Sequence, residues 1–308
     1  MPYAPVEASD DKNKQSDEGW MAPNPRLLLT PLRHTKVIHF IRHGEGYHNI
    51  GYEGLHDPHL TQLGWDQAHT LQKHLASIQP PLNIEVVFVS PLVRTLQTAA
   101  GIFGYHGESA KGPTSNGKEL MHPVTAAKLE RTEHPAVQAP KDLPMIITSK
   151  CRERMGPNLC DRRQDLSAAQ EQFPAYDWSL VKDEEGESDE IYDFIHDQPQ
   201  SNGCYPMGES EGATKERGKR FVKFLMQRPE QRIAVVSHCG FLRHTLRTYA
   251  SEFGTHAQDE LLRDFNNCEM RSMVLSDFEG STLHDSTWFE GGKDCCNDEK
   301  MGSQRETQ

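Results

Sequence analysis

The sequence predicts an α/β fold, a three-layer α/β/α sandwich whose central sheet is mostly parallel. Short β-branched and aromatic runs alternate along the chain with amphipathic segments of helical length. Strands that alternate with helices form parallel sheets whose two faces are both covered. The central part of the chain has no self-similar period, which argues against a solenoid.

The first half of this pattern contains two strands and two helices. The apolar run KVIHFI at 36–41 predicts a buried strand, and VVFV at 86–89 predicts a second one. Between them, apolar residues at spacings of three, four and five predict a helix over 61–78. The pair Pro80–Pro81 ends that helix. The next predicted helix, 91–103, opens with a proline, whose missing N–H costs nothing in a first turn.

The second half repeats the alternation. The run MIIT at 145–148 predicts a short strand. A helix is predicted over 212–226, followed by the strand IAVVS at 233–237 and a helix over 241–250. The residues MVL at 273–275 predict the last strand. All of these elements fit one layered sheet.

The domain prediction is a single folded domain over 34–281 between two disordered tails. Residues 1–33 and 282–308 are polar and lack sustained periodicity, which is typical of disordered segments. Two insertions are predicted inside the domain, at about 104–144 and 181–210. The first is rich in Gly and Pro and is interpreted as an insertion or a lid.

Composition excludes several classes of function. The chain of 308 residues has a formal net charge of −12, so it is a poor non-specific binder of nucleic acid. No apolar run approaches the roughly 20 residues that a membrane-spanning helix needs. We expect no secretory signal at the N-terminus. Seven cysteines without CxxC pairs favour reduced thiols, and therefore a cytoplasmic location. The acidic stretch 183–190 is interpreted as a solvated loop.

Polar side chains follow three of the predicted strands. Arg42, His43 and Asn49 follow the first strand, Arg94 follows the second, and His238 follows a later one. Ligands of parallel sheets bind beyond the carboxyl ends of the strands, so we expect these groups to converge. An arginine presents a fork of donors suited to phosphate, and a neutral imidazole is a competent nucleophile. The cluster predicts attack by histidine on phosphorus, with two arginines and a protonated histidine holding the charge.

A fourth group, CRER at 151–154, adds a carboxylate to this cluster. The residues of the cluster also carry a family resemblance. The matching segments are RHG at 42–44, DPHLTQLG at 57–64 with QA at 67–68, Arg94 with QTA at 97–99, and SH at 237–238. Together they resemble the histidine phosphatase superfamily, the phosphoglycerate mutase-like proteins, over about residues 36–275. A lone RHG is a weak signal, but four groups in the right order, each after a strand, are specific.

The resemblance implies roles for six residues. It implies His43 as the nucleophile that becomes phosphohistidine, Glu153 as the proton donor, and His238 as a further catalytic residue. It implies Arg42, Arg94 and Asn49 as phosphate ligands. Nearby Glu130 and Glu133 are rivals for the acid role. Other histidines, including His48, are assigned to surface or core roles, and Glu209 is a weak candidate for a substrate contact.

We therefore expect a metal-independent phosphomonoester hydrolase that acts on a small phosphorylated metabolite, with no cofactor. One alternative is a phosphoglycerate mutase-type phosphotransferase. The stretch GYEGLH at 51–56 and the lack of an arginine-pair loop in 104–144 depart from the cofactor-dependent mutases. The other alternative is a catalytically silent scaffold. A metal site at His56, Asp57 and His59 is disfavoured, because the loop lacks a third ligand at suitable spacing. The sequence predicts neither the oligomeric state nor the substrate.

Overall fold

The central sheet has five strands, four of them parallel. The computed structural model describes residues 35–106, 115–125, 130–184, 186–197, 208–252 and 254–276. The strands of the sheet are β1 (Thr35–Arg42), β2 (Val86–Val89), β5 (Met145–Ile147), β6 (Arg232–Ser237) and β7 (Met270–Ser276). They lie in the order β5-β2-β6-β1-β7, and only β7 is antiparallel to its neighbour.

Helices cover the two faces of this sheet. The helices of the described residues are α1 (Gln62–Ser77), α2 (Val93–Phe103), α3 (Leu166–Gln172), α4 (Ser179–Glu184), α5 (Glu190–Asp197), α6 (Glu211–Met226), α7 (Cys239–Arg247) and α8 (Thr255–Leu262). One apolar core contains Trp65 and Leu96 from α1 and α2, and the other contains Phe221 and Phe241 from α6 and α7. The predicted three-layer α/β/α fold is confirmed.

Helix starts show what local sequence signals decide. Thr61 caps α1, since its Oγ1 accepts a hydrogen bond of 3.1 Å from the backbone N–H of Gly64. The α2 helix begins two residues later than predicted. Its first N–H, that of Val93, donates to the buried Asp57 carboxylate at 2.8 Å. A side chain distant in sequence therefore supplies this cap.

The first predicted insertion contains its own antiparallel strand pair. β3 (Ser115–Met121) pairs with β4 (Val137–Pro140). The pairing register shifts twice, which explains why no regular alternation marks these strands in the sequence. Residues 107–114 and 126–129 lie outside the described residues, as do both predicted tails.

The prediction of a solvated acidic loop at 183–190 is wrong for Asp189. This carboxylate is buried and accepts two hydrogen bonds from Arg152, at 2.8 and 2.7 Å. Arg163 is also buried, and its guanidinium donates to the carbonyl groups of residues 186–188. Two buried arginines thus draw part of the acidic stretch into the protein, because a buried cation requires such partners.

Within the described residues, every helix is too short or too polar to cross a lipid bilayer.

Candidate active site

His43 lies directly beyond the carboxyl end of β1 and is buried. Its backbone N–H donates to the Ser237 carbonyl at 2.9 Å, and its carbonyl accepts from the N–H of Cys268 at 3.0 Å. The side-chain Nδ1 atom is 2.7 Å from the Gly44 carbonyl oxygen, which can only accept. Nδ1 therefore carries the proton, and Nε2 keeps its lone pair. A backbone carbonyl that fixes this tautomer is what the proposed nucleophile requires.

The surroundings of His43 keep its ring neutral. Burial lowers the pKa of His43 well below its ordinary value, and the nearby Arg94, His48 and Arg42 lower it further. A neutral imidazole has a lone pair available for attack. The environment thus favours the nucleophilic form at neutral pH.

Arg94 is the second residue of α2, and its guanidinium is almost fully buried. Nη1 donates to the Cys160 carbonyl at 2.6 Å, and Nη2 donates to Oδ1 of Asp161 at 3.2 Å. Its Nε atom has no partner among the described residues. The charge of Arg94 lowers the pKa of both His43 and His238, so the guanidinium lies close to both rings. This arrangement leaves part of the donor fork available to a phosphate.

Arg42 is the last residue of β1 and is half-buried. Its Nη1 donates to the Phe265 carbonyl at 2.7 Å, while Nε has no partner among the described residues. Its charge also lowers the pKa of His43. Arg42 ends a strand and Arg94 lies in the first turn of a helix, and both charges act on the same imidazole.

His238 follows β6 and packs beside His43. The two ring centroids are 5.1 Å apart. The Nε2 atom of His238 lies 2.7 Å from Oγ of Ser90. Burial, with Arg94 and His43, lowers the pKa of His238 well below its ordinary value, so the ring is neutral in the free protein. The expected protonated histidine stays a prediction for the phosphate-bound state, because burial and the charge of Arg94 disfavour the protonated ring in the free protein.

Asn49 lies on the exposed side of the same cluster. Its Oδ1 accepts from the Gly46 N–H at 3.0 Å and from Nδ2 of Asn267 at 3.2 Å. Both bonds go to the oxygen of the carboxamide and orient it. The NH₂ group of Asn49 is the part of this side chain that can donate a hydrogen bond. The predicted role of Asn49 as a phosphate ligand stays a prediction.

Glu153 lies at the N-terminus of α7, next to the helix-capping His238. Its Oε1 accepts from the N–H groups of Arg154 at 2.7 Å and Phe241 at 2.8 Å, and Oε2 accepts from that of Gly240 at 3.2 Å. Burial and the charge of Asp161 raise the pKa of the carboxyl, and they outweigh these hydrogen bonds. A raised pKa is what a general acid needs near neutral pH.

The rival carboxylates lie on a different segment of the chain from Glu153. Glu130 and Glu133 lie in the connection between β3 and β4, and Glu133 is exposed. By contrast, Glu153 is close enough to Arg94 for the arginine to act on its pKa. The geometry favours Glu153 for the acid role.

The structure shows the partners of two further polar residues, His48 and Glu209. His48 was expected in a surface or core role, but its ring centroid is 5.2 Å from that of His43. Burial, Arg94 and Arg42 lower its pKa to about 2. Glu209 is a weak candidate for a substrate contact, and that role stays a prediction; in the structure its carboxylate accepts hydrogen bonds from Arg217 at 2.9 and 2.6 Å. Its position at the start of a helix gave no sign of this pairing.

Three residues support the site through contacts that the sequence pattern does not predict, although Thr98 lies in the matching segment QTA at 97–99. Ser90 contacts His238, Asp161 contacts Arg94, and Thr98 accepts the Gly44 N–H at 2.9 Å through Oγ1. Ser90 directly follows β2, so its place beyond a strand end was an available signal. Asp161 ends a short 3-10 helix, Leu159–Asp161, which does not follow a strand and offers no such signal.

Comparison with known proteins adds an independent observation. A profile of the histidine phosphatase superfamily (branch 1) matches residues 38–113 and 173–280. The matched ranges include His43, Arg94 and His238 but not Glu153. The chain is 35% identical over 263 residues to a "Phosphoglycerate mutase-like protein" of Arabidopsis thaliana, covering 82% of this chain and 89% of the relative.

Two further matches are a second plant relative and one solved structure. The "Phosphoglycerate mutase-like protein 1" of Arabidopsis thaliana is 36% identical over 258 residues, covering 81% of this chain and 84% of the relative. Among solved structures, a mycobacterial glucosyl-3-phosphoglycerate phosphatase has a TM-score of 0.39 at 14% identity, covering 77% of this chain and 90% of that chain.

Proposed function

This chain belongs to the histidine phosphatase superfamily, and we propose that it hydrolyses a phosphomonoester through a phosphohistidine on His43. One observation carries the proposal: a buried, neutral imidazole with its lone pair on Nε2 lies close to the guanidinium groups of Arg42 and Arg94, which come from separate segments of the chain. This arrangement suits attack on phosphorus with the developing negative charge held in place.

In the first step, Nε2 of His43 forms a bond to phosphorus while the bond from phosphorus to the leaving oxygen breaks. Glu153 transfers its proton to that oxygen, so the product leaves as a neutral alcohol. The Nδ1–H of His43 donates to Gly44 and helps to stabilise the positive ring that results. General acid catalysis of this kind contributes about 10²–10⁴-fold.

In the second step, water attacks the phosphohistidine. The Glu153 carboxylate accepts a proton from the water, the oxygen–phosphorus bond forms, and the bond to Nε2 breaks. Inorganic phosphate leaves, and both His43 and Glu153 return to their starting forms. Arg42 and Arg94 hold the equatorial oxygens in both steps, with His238 and Asn49 as further donors.

The proposed substrate is a small phosphorylated metabolite with few other negative charges. Three carboxylates, those of Glu53, Glu153 and Asp161, act electrostatically on Cys160, whose carbonyl binds Arg94. Of these, Glu53 and Asp161 add negative charge near Cys160 and the proposed phosphate site, which disfavours polyanions. The proposal includes no metal and no cofactor. It places the protein in the cytoplasm, since Cys151, Cys160, Cys239 and Cys268 are free thiols.

A mutase is the second candidate, because both curated relatives described above are named phosphoglycerate mutase-like. A mutase would return the phosphoryl group to another hydroxyl of the substrate, whereas a phosphatase releases it to water. Incubation with a phosphorylated sugar acid separates the two by product: isomer formation supports the mutase, and phosphate release supports the hydrolase.

The main test is hydrolysis of an aryl phosphate in the presence of a chelator. We expect turnover that survives chelation, disappears in His43→Ala, and is retained in His74→Ala, a substitution of an exposed histidine on α1. Acid-labile phosphate trapped on His43 is the direct readout. Loss of turnover with the chelator, or no turnover on any phosphoester, would reject the proposal in favour of a metal enzyme or a silent scaffold.

A further inference from the structure

Asp161 is a buried carboxylate that joins the two halves of the proposed mechanism. Oδ1 accepts from Nη2 of Arg94 at 3.2 Å, and Oδ2 accepts from the backbone N–H of Gly156 at 3.1 Å. Its backbone carbonyl accepts from Nη2 of Arg152 at 2.9 Å. Gly156 and Arg152 flank the short segment that carries Glu153. One residue thus contacts the phosphate-binding cation on one side and the acid-bearing segment on the other.

We propose that Asp161 is a positioning residue that couples Arg94 to Glu153: its carboxylate orients the guanidinium, its bonds to Gly156 and Arg152 hold the segment that carries the acid, and its charge acts on that acid. This inference rests on the proposed function. Arg94 places two of its donors on the peptide carbonyl of Cys160 and on the Asp161 carboxylate, so its remaining donors have a fixed direction. A fork held in this way does not need to reorganise when a phosphate binds.

The charge effect has a definite sign. Like charges disfavour ionisation, and the pKa of Glu153 is raised by burial first and by Asp161 second. Arg94 and three backbone N–H groups act in the opposite direction. Other titratable or charged groups that face this carboxyl or its segment include Cys160, Cys239 and Arg217. Arg154 and Glu209 also lie at this segment, since Glu209 accepts from Nε of Arg154 and from the N–H of Met155. Removal of the Asp161 charge is therefore expected to lower the pKa of Glu153 and to favour its ionised form.

The test variant is Asp161→Asn, which keeps the shape, one acceptor oxygen and the backbone bond to Arg152 while it removes the charge. For an alkyl phosphate, we expect the descending basic limb of the pH profile of kcat/KM to move to lower pH. We expect hydrolysis just above that limb to fall about tenfold, within the range of general acid catalysis. An aryl phosphate needs little proton donation, and its hydrolysis should change much less.

The matched control is Asp193→Asn. Asp193 binds Arg162 at 2.9 Å, is partly exposed, and is not among the groups that act on Glu153. We expect its pH profile to match the wild type. Inorganic phosphate should bind Asp161→Asn more tightly than the wild type, because Arg94 loses its neutralising partner. A merely structural role would instead weaken phosphate binding and slow both substrates equally, with no movement of the limb.

A second readout does not depend on turnover. The carboxyl ¹³C resonance of Glu153, assigned by comparison with Glu153→Gln, is titrated in the wild type and in Asp161→Asn. A lower titration midpoint in Asp161→Asn supports the coupling, and an unchanged midpoint in a folded variant overturns it. If the wild type lacks hydrolysis that depends on His43, the proposed function fails, while this titration still decides the coupling.

Discussion

The Nε2 atom of His238 lies 2.7 Å from Oγ of Ser90, and both side chains are fully buried. Ser90 follows β2 and His238 follows β6, which are neighbours in the sheet. The contact occupies one ring nitrogen and leaves Nδ1, which has no partner among the described residues, as the second polar atom of the ring. Ser90 thereby holds the ring in one orientation next to His43.

Ser90→Ala is expected to lower kcat/KM for an aryl phosphate by about 10–100-fold, because a loosely held ring no longer keeps its position. The kinetics should be compared with those of Ser77→Ala, a change at the exposed end of α1. Near-normal kinetics for Ser90→Ala would show that the contact does not position His238.

Arg94→Ala is expected to lower kcat by about 10²–10⁵-fold, the range for losing a charge-stabilising arginine in phosphoryl transfer. Arg94→Lys should recover only a small part, since an ammonium group cannot reproduce the planar fork that binds Cys160 and Asp161. Steady-state kinetics measure the loss of kcat, with Arg220→Ala, a substitution of an exposed arginine on α6, as the control. Full activity of Arg94→Lys would show that the planar geometry of the guanidinium is not required.

Glu153→Gln is expected to slow alkyl phosphates far more than aryl phosphates, because only poor leaving groups need a proton. The measurement is a series of substrates ranked by the pKa of the leaving group. Glu130→Gln and Glu133→Gln serve as controls and should show no such dependence. Equal slowing of all substrates by Glu153→Gln would transfer the acid role to one of those two residues.

The low pKa of His43 predicts that the pH profile of kcat/KM lacks the usual histidine limb on its acidic side. The ring must be neutral to attack, and burial with Arg94 and His48 holds its pKa well below the ordinary value of 6.5. The rate on an aryl phosphate should therefore not fall as the pH drops through that value. A pH profile of kcat/KM checks this. A limb near the ordinary histidine value would show that the nucleophile is more exposed to solvent than the structure indicates.

Asp189→Asn is expected to destabilise the fold by about 3–5 kcal/mol, since it leaves the buried Arg152 without its charged partner. Burial raises the pKa of Asp189, but the bonds from Arg152 outweigh it and the pKa is lowered. The carboxylate therefore stabilises the protein at pH values above its unfolded pKa of about 3.9. This contribution disappears as the pH falls through the lower folded-state pKa.

Urea unfolding at several pH values, with Asp193→Asn as a partly exposed comparison, measures the effect of Asp189. The Asp193 ion pair is worth about 0–1 kcal/mol, as is typical of surface pairs. A similarly small change for Asp189→Asn at neutral pH would contradict the buried-pair interpretation.

The strand pattern alone was sufficient to bring Arg42, His43, Arg94 and His238 together. Each follows a predicted strand, and parallel strands end at one edge of a sheet, so their order along the chain implied convergence. Irregular segments carried no comparable rule. The pairing of β3 with β4 and the burial of Asp189 depend on partners distant in sequence.

The amino-acid sequence by itself determined the sandwich and the convergence of Arg42, His43, Arg94 and His238 at one edge of the sheet, because these follow from hydrophobic periodicity and strand ends. Only the tertiary structure decided the protonation of His43 and His238, the location of His48 beside them, and the link from Asp161 to Arg94. Protonation depends on burial and on charges that folding brings within a few ångströms. Those neighbours come from separate segments of the chain, whose distances apart are set by packing and not by sequence spacing.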